Sequence, residues 1–204
     1  MKVVIVDYGM GNLKSIVGAL NHLGVDNVKV SNDKNEINSA EKLILPGVGA
    51  FKLAIKNIRH LNLDKVLKDN VLLNKKPLLG ICLGMQLLSE SSDEGGYREG
   101  LKFISGRITR FESCDLSIPH IGINQVKLSK DSKLYSGFQQ ELVDFYFVHS
   151  YKMNTNEKMK QGITNYTCDF VSSFEKENIA GVQYHPELSQ ANGLKVLSNF
   201  LNLF

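Results

Sequence analysis

Cys82 stands between Gly80 and Gly84 in the run Pro77-Leu78-Leu79-Gly80-Ile81-Cys82-Leu83-Gly84-Met85-Gln86. The spacing is that of a nucleophile elbow, G-x-S-x-G, with sulfur in place of oxygen. A strand that turns at once into a helix crowds its own backbone, and glycine removes the Cβ atoms that would clash. A thiol on such a turn sits at a helix N-terminus, where unpaired N–H groups favour the thiolate. These residues point to nucleophilic catalysis. A packed core cysteine is the competing reading, because free Cys behaves as a small hydrophobe.

A cysteine nucleophile needs a base, and the base needs a third group to hold its tautomer. There are five histidines. His22 and His60 fall on helix patterns and read as surface residues. His120 follows Pro119 in a loop, and His149 ends the apolar run Phe145-Tyr146-Phe147-Val148. His185 differs, because it closes a strand from Ile179 to Tyr184 and opens His185-Pro186-Glu187. In extended chain, residues i and i+2 point to one side. Pro186 fixes the intervening φ and holds the segment extended. Glu187 is therefore expected to hold one ring nitrogen of His185 while the other faces the thiol. No second His or Cys stands at ligand spacing, so no metal site is read.

These groups need a frame. Val3 to Val6 and Lys42 to Leu45 are short apolar runs suited to central parallel strands, with another strand near Val28 to Ser31. Leu13, Ile16, Val17, Leu20 and Leu23 recur at helical spacing, and Gly24 supplies the stop. Gly9-Met10-Gly11 reads as a turn at a strand end, since Lys14 occupies the third glycine position of a dinucleotide fingerprint. Helices are expected between Phe51 and Asn74, and Leu78 to Ile81 is the strand before the nucleophile. Pro46-Gly47-Val48-Gly49-Ala50-Phe51 follows a buried strand, at the sheet edge where open α/β folds bind ligands. Ser91 to Gly100 reads as a surface loop without a ligand pattern.

Beyond residue 101 short alternating runs dominate: Phe103–Ile108, Ile123–Leu128, Val143–Val148, Gly162–Thr167, Asp169–Phe174 and Ile179–Tyr184. A last helix starts near Ser189, with Leu194, Leu197, Phe200, Leu201 and Phe204 inward. The order implies one α/β domain with a mainly parallel sheet and an antiparallel extension.

A chain of 204 residues suits one domain with a sizeable core. A net charge of +3, with both signs interspersed, gives no nucleic-acid or membrane signal. Cys82, Cys114 and Cys168 are odd in number and widely spaced, which favours a reducing, cytoplasmic compartment over a disulfide framework. The N-terminal apolar run is too short for a signal peptide and reads as a first strand.

Gly80-Ile81-Cys82-Leu83-Gly84-Met85-Gln86 together with His185-Pro186-Glu187 resembles the class I (triad) glutamine amidotransferases. Asp7-Tyr8-Gly9-Met10-Gly11-Asn12-Leu13, Leu45 to Phe51, Pro119-His120-Ile121-Gly122 and Phe147-Val148-His149-Ser150-Tyr151 narrow the resemblance to the glutaminase subunits of imidazole glycerol phosphate synthases. It runs from the first strand to the last helix. It implies a single flavodoxin-like glutamine amidotransferase type 1 domain over 1–204, helices on both sheet faces, and no cofactor.

It also implies that Cys82 attacks the side-chain amide of glutamine, with His185 as acid and base and Glu187 as its orienter. The N–H of Leu83 and one from the Val48-Gly49 turn would form the oxyanion hole. Gln86, Ser150 and Tyr151 would bind glutamine. The partner implied is a (β/α)8-barrel synthase subunit in a heterodimer, which takes up the ammonia to make imidazole glycerol phosphate in histidine biosynthesis.

The chain departs from the family's pattern at two rim positions. Ile123 stands where the family has Trp, and Leu188 where it has Lys after His-Pro-Glu. Such changes also fit a paralogous glutaminase that feeds ammonia to amidino-sugar synthesis. A non-catalytic regulatory subunit on the same scaffold is a third reading, opposed by the intact Cys82, His185 and Glu187.

Overall fold

The computed structural model describes residues 1–112 and 116–204; Cys114 lies outside the described residues. The strands are β1 (Lys2–Val6), β2 (Asn27–Ser31), β3 (Lys42–Leu45), β4 (Leu78–Ile81), β5 (Ser91–Ser92), β6 (Arg98–Glu99), β7 (Arg107–Arg110), β8 (His120–Lys127), β9 (Leu142–His149), β10 (Tyr151–Asn154), β11 (Lys160–Asn165), β12 (Asp169–Lys176) and β13 (Ile179–Val182). The helices are α1 (Leu13–His22), α2 (Lys34–Ser39), α3 (Phe51–His60), α4 (Leu63–Lys68), α5 (Leu83–Leu87) and α6 (Gln190–Leu203).

The order β2-β1-β3-β4-β13 is all parallel. That is the 2-1-3-4-5 order of flavodoxin-like sheets. From β13 the sheet turns antiparallel through β12, β10 and β7, while β11, β8 and β9 branch from β12. The expected α/β architecture is thus present, and its antiparallel half is larger than the alternation alone suggests.

Side chains alternate across a pleated strand, and two cores result. Val4, Val6, Leu43 and Leu45 pack with Phe51, Ile55, Ile58 and Leu67 of α3 and α4. Val3, Ile5, Ile44, Leu79 and Ile81 pack with Ile16 and Leu20 of α1 and Val196, Leu197 and Phe200 of α6. Each such side chain contributes about 1.5–3 kcal/mol when fully buried. No helix among the described residues is long and apolar enough to cross a membrane.

Several sequence expectations need correction. The strand expected over 103–108 is β7 at Arg107–Arg110, because the N–H groups of Phe103 and Ile104 donate to the Leu88 carbonyl at 2.9 and 3.0 Å and close the end of the elbow helix instead. α2 has no counterpart among the sequence expectations. It has only six residues and depends on Asp33, whose Oδ1 accepts from the N–H groups of Asn35 and Glu36 at 2.7 and 3.1 Å. Such a cap is worth about 1 kcal/mol, and Ile37 anchors the helix in the core. The loop from Ser91 to Gly100 contains the antiparallel pair β5–β6, with Ser91 and Ser92 buried. His120 opens β8 and is buried, in place of the expected loop.

Candidate active site

β3, β4 and β13 are neighbouring parallel strands. Their carboxyl ends therefore share one edge, about 4.8 Å apart strand to strand. β3 runs into Pro46–Ala50, β4 into Cys82, and β13 into His185. Residues far apart in sequence meet because the topology lays these three ends side by side.

The Cys82 turn is sharp. Its backbone holds φ 52° and ψ −111°, a strained conformation for a residue with a Cβ. The flanking glycines have direct packing reasons. A Cβ on Gly84 would lie 1.8 Å from the Leu45 carbonyl oxygen, and one on Gly80 would lie 2.8 Å from Met85 Cα and N. The Cys82 N–H still joins the sheet, donating to Val182 O at 2.8 Å. Its Sγ lies 3.7 Å from Gln183 Nε2 and 3.9 Å from the Val148 carbonyl oxygen.

His185 is buried, and its Nδ1 lies 2.8 Å from Glu187 Oε1. Its Nε2 is buried without a hydrogen-bond partner among the described residues. Burial pushes the ring's pKa down, but Cys82 and Glu187 outweigh it and raise the value from 6.5 to about 10. The route to this pairing differs from the extended one read in the sequence. Pro186–Leu188 forms a 3₁₀ turn, closed by the Leu188 N–H on His185 O at 3.1 Å. A proline's fixed φ suits the first residue of a helical turn as well as a strand.

A cavity of about 260 Å³ is lined by Cys82, Leu83, Gln86, Val48, Gly49, Ser150, Tyr151 and His185, with Glu94, Pro119, Val148 and His149. Every catalytic, oxyanion and glutamine-binding candidate read in the sequence lines it except Glu187, which stands behind His185. The Leu83 N–H donates to the Gly47 carbonyl at 3.3 Å. A trans peptide points its C=O and N–H in opposite directions, so the Gly47–Val48 unit turns its oxygen, not its N–H, toward Leu83. Gln86 gives Nε2 to Tyr151 O at 3.1 Å and to Gln183 Oε1 at 2.8 Å.

Three residues here escape the sequence reading. Glu94 adds a carboxylate to the cavity wall and accepts the Phe51 N–H at 2.8 Å, at the start of α3. Nothing in its glycine-rich surroundings marks it. Gln183 is fully buried against Cys82; standing two residues before His185, it is placed by strand period. His149 joins the cavity wall and pairs with His120, at 3.0 Å between Nε2 and Nδ1.

A family model described as glutamine amidotransferase class-I matches residues 4–203. The chain is 45% identical over 203 residues to imidazole glycerol phosphate synthase subunit HisH 2 of Vibrio vulnificus, covering 99% of this chain and 94% of that one. It is 44% identical over 202 residues to subunit HisH 1 of Campylobacter jejuni, covering 98% and 100%. A crystal structure of a glutamine amidotransferase superposes with a TM-score of 0.76 at 16% identity, covering 98% of this chain and 97% of the other.

Proposed function

The chain belongs to the class-I glutamine amidotransferases, and on that premise we propose that it is the glutaminase subunit of an imidazole glycerol phosphate synthase, an enzyme that hydrolyses glutamine and hands ammonia to a (β/α)8-barrel subunit in histidine biosynthesis. One observation carries the reading: Cys82 and His185 line one cavity, and Glu187 is seated on the far ring nitrogen.

Cys82 gives its thiol proton to His185 Nε2, and Sγ attacks the side-chain amide carbon of glutamine and forms a C–S bond. The carbonyl oxygen takes the negative charge. His185 passes a proton from Nε2 to the amide nitrogen, the C–N bond breaks, and ammonia leaves a thioester. Now neutral at Nε2, His185 takes a proton from water as the oxygen attacks the thioester. The C–S bond breaks, and glutamate departs. Glu187 keeps the Nδ1 proton and stabilises the imidazolium.

The oxyanion donors are the Leu83 N–H and one from the Val48-Gly49 turn. With Gly47 O on Leu83, the hole is closed in this conformation. One missing donor lowers kcat by about 10²–10³, so the chain alone is a slow glutaminase until that peptide turns over. Ser150, Tyr151 and Gln86 bind glutamine, and the Glu94 carboxylate suits its ammonium group.

The surface beside the cavity supports a partner. On the β8–β9 hairpin, Ile121 is directly opposite Val148, and both are exposed; Ile123, two residues on, is 68% exposed. Apolar exposure at a pocket mouth marks an interaction surface. The test is glutamate release with and without candidate barrel subunits and their ligands. Activity should rise on addition of the partner and vanish in Cys82→Ala with the fold retained. Turnover by Cys82→Ala would remove Cys82 as nucleophile.

A second partner reading has its own observation. Ile123 and Leu188 line one groove with Tyr146 and Gln190. The two departures from the family's pattern thus meet at a single place, as a changed partner surface requires. Under that reading the ammonia serves amidino-sugar synthesis. Complementation of a histidine auxotroph separates the two; growth supports the histidine pathway.

A further inference from the structure

His120 and His149 are buried, face each other across β8 and β9, and have no part in the chemistry above. Their hydrogen bonds admit only one proton arrangement. His149 Nδ1 lies 2.8 Å from the Tyr151 carbonyl oxygen, so Nδ1 carries the hydrogen. In the neutral ring Nε2 then has a lone pair, which accepts from His120 Nδ1–H at 3.0 Å. His120 Nε2 accepts in turn from Asn124 Nδ2 at 3.2 Å. The second Asn124 N–H goes to Asn165 O at 3.0 Å.

The polarity continues toward the nucleophile. The Tyr151 oxygen uses its other lone pair on Gln86 Nε2, and the same amide nitrogen serves Gln183 Oε1. Both N–H bonds of Gln86 are thereby spent inside the protein. Its Oε1, which has no partner among the described residues, is the end left for a ligand in the cavity. The rings cannot easily leave this arrangement. His120 stacks on Tyr166 at 4.0 Å and Phe147 at 4.8 Å between centroids, and Phe170 and Phe111 close on His149. Burial holds both rings neutral, with pKa values lowered to about 4 for His120 and about 3 for His149.

We propose that the His120–His149 pair is a positioning and specificity device: it holds the Tyr151 carbonyl turned toward Gln86, and so fixes the Gln86 amide with its acceptor oxygen facing the substrate. The ligand class selected is one that presents N–H donors there, an ammonium or a primary carboxamide. A carboxylate in the same place would meet a lone pair, which favours release of the acid product over the amide substrate. The inference rests on the glutaminase reading and adds two residues to it.

The test uses the full chain carrying Cys82→Ala and measures binding of L-glutamine and L-glutamate by calorimetry. His149→Leu removes the donor to Tyr151 and should weaken glutamine about tenfold, the value of one hydrogen bond, and narrow its advantage over glutamate. His149→Asn puts an amide N–H near the Nδ1 position and should keep affinity within about threefold. In the Cys82 chain with its partner, His149→Leu should raise KM while kcat holds. Should His149→Leu fail to fold, His120→Leu and His120→Asn give the same ordering one bond further out. Unchanged affinity in the leucine variant, or equal losses in the leucine and asparagine variants, overturns the proposal. No glutamine binding by the Cys82→Ala parent overturns the glutaminase reading and this inference with it.

Discussion

Glu187 Oε1 sits 2.8 Å from His185 Nδ1 across a single 3₁₀ turn, while the opposite ring nitrogen is buried and has no hydrogen-bond partner among the described residues. A buried imidazole with one nitrogen anchored and the other free has a fixed direction for its proton. That directionality matters more to the chemistry than charge alone.

Glu187→Gln tests it. The amide leaves the shape nearly unchanged but removes the carboxylate that helps raise the His185 pKa to about 10. The alkaline limb of the pH–rate profile should move down toward the ordinary imidazole value of about 6.5. The kcat should fall by about 10²–10⁴, the range for a misheld acid–base group, with KM little changed. A profile identical to the parent's would show that the carboxylate does not set the proton's place.

The Tyr8 hydroxyl donates to the Pro46 carbonyl at 2.6 Å and pins the loop whose next carbonyl, at Gly47, occupies the Leu83 N–H. Tyr8→Phe frees that loop at a hydrogen bond's cost of about 1 kcal/mol. Partner-independent glutamate release should rise by up to about fivefold, and the activation produced by the partner should shrink in proportion. Steady-state rates with and without the barrel subunit check this; an unchanged ratio separates Tyr8 from the oxyanion turn.

Much of this site is legible in the sequence. Gly80, Cys82 and Gly84 announce a crowded bend whatever surrounds them, because that crowding is local. The parallel strands are legible as apolar runs, and the helices α1 and α6 as periodic stripes. Glu94 is not, since a carboxylate in a glycine-rich hairpin acquires meaning only when α3 is brought against it. His120 is misplaced by a sequence reading because cross-strand pairing with His149 is non-local, and Pro119 beside it reads as a loop. The turn at Pro186 reads as extended because a proline's φ is common to both conformations.

Gly84→Ala should be the most damaging methyl group near the site. Its Cβ would fall on the Leu45 carbonyl oxygen, a backbone atom that cannot swing aside. A loss of about 3 kcal/mol is expected, the upper end for overpacking, which lowers Tm by roughly 6–12 °C at this chain length. Gly18→Ala, on α1 where the Cβ meets nothing within 4 Å, is the matched control and should hold or raise Tm.

Stability should fall away from neutrality on both sides. His120 and His149 stay neutral in the fold, with values lowered to about 4 and about 3 by burial. Below pH 6.5 the unfolded chain binds protons that the folded chain refuses, so stability drops as pH falls. His185 acts oppositely. Raised to about 10, it adds stability in full below pH 6.5 and loses it as pH climbs to 10. Thermal melts from pH 4 to 10 should peak between the two limbs, and His149→Asn should flatten only the acid one.

The backbone at Cys82, with φ 52° and ψ −111°, sets heat resistance against turnover at a single codon. Holding a side chain in such a conformation costs about 1–3 kcal/mol, which glycine would recover. A library of this chain selected only for survival at high temperature should therefore accumulate Cys82→Gly and lose its chemistry, whereas a growth selection that needs ammonia would hold the sulfur there. Asn62, Lys75, Lys102, Glu177 and Gln190 also hold positive φ, but only at Cys82 does the nucleophile itself carry that cost.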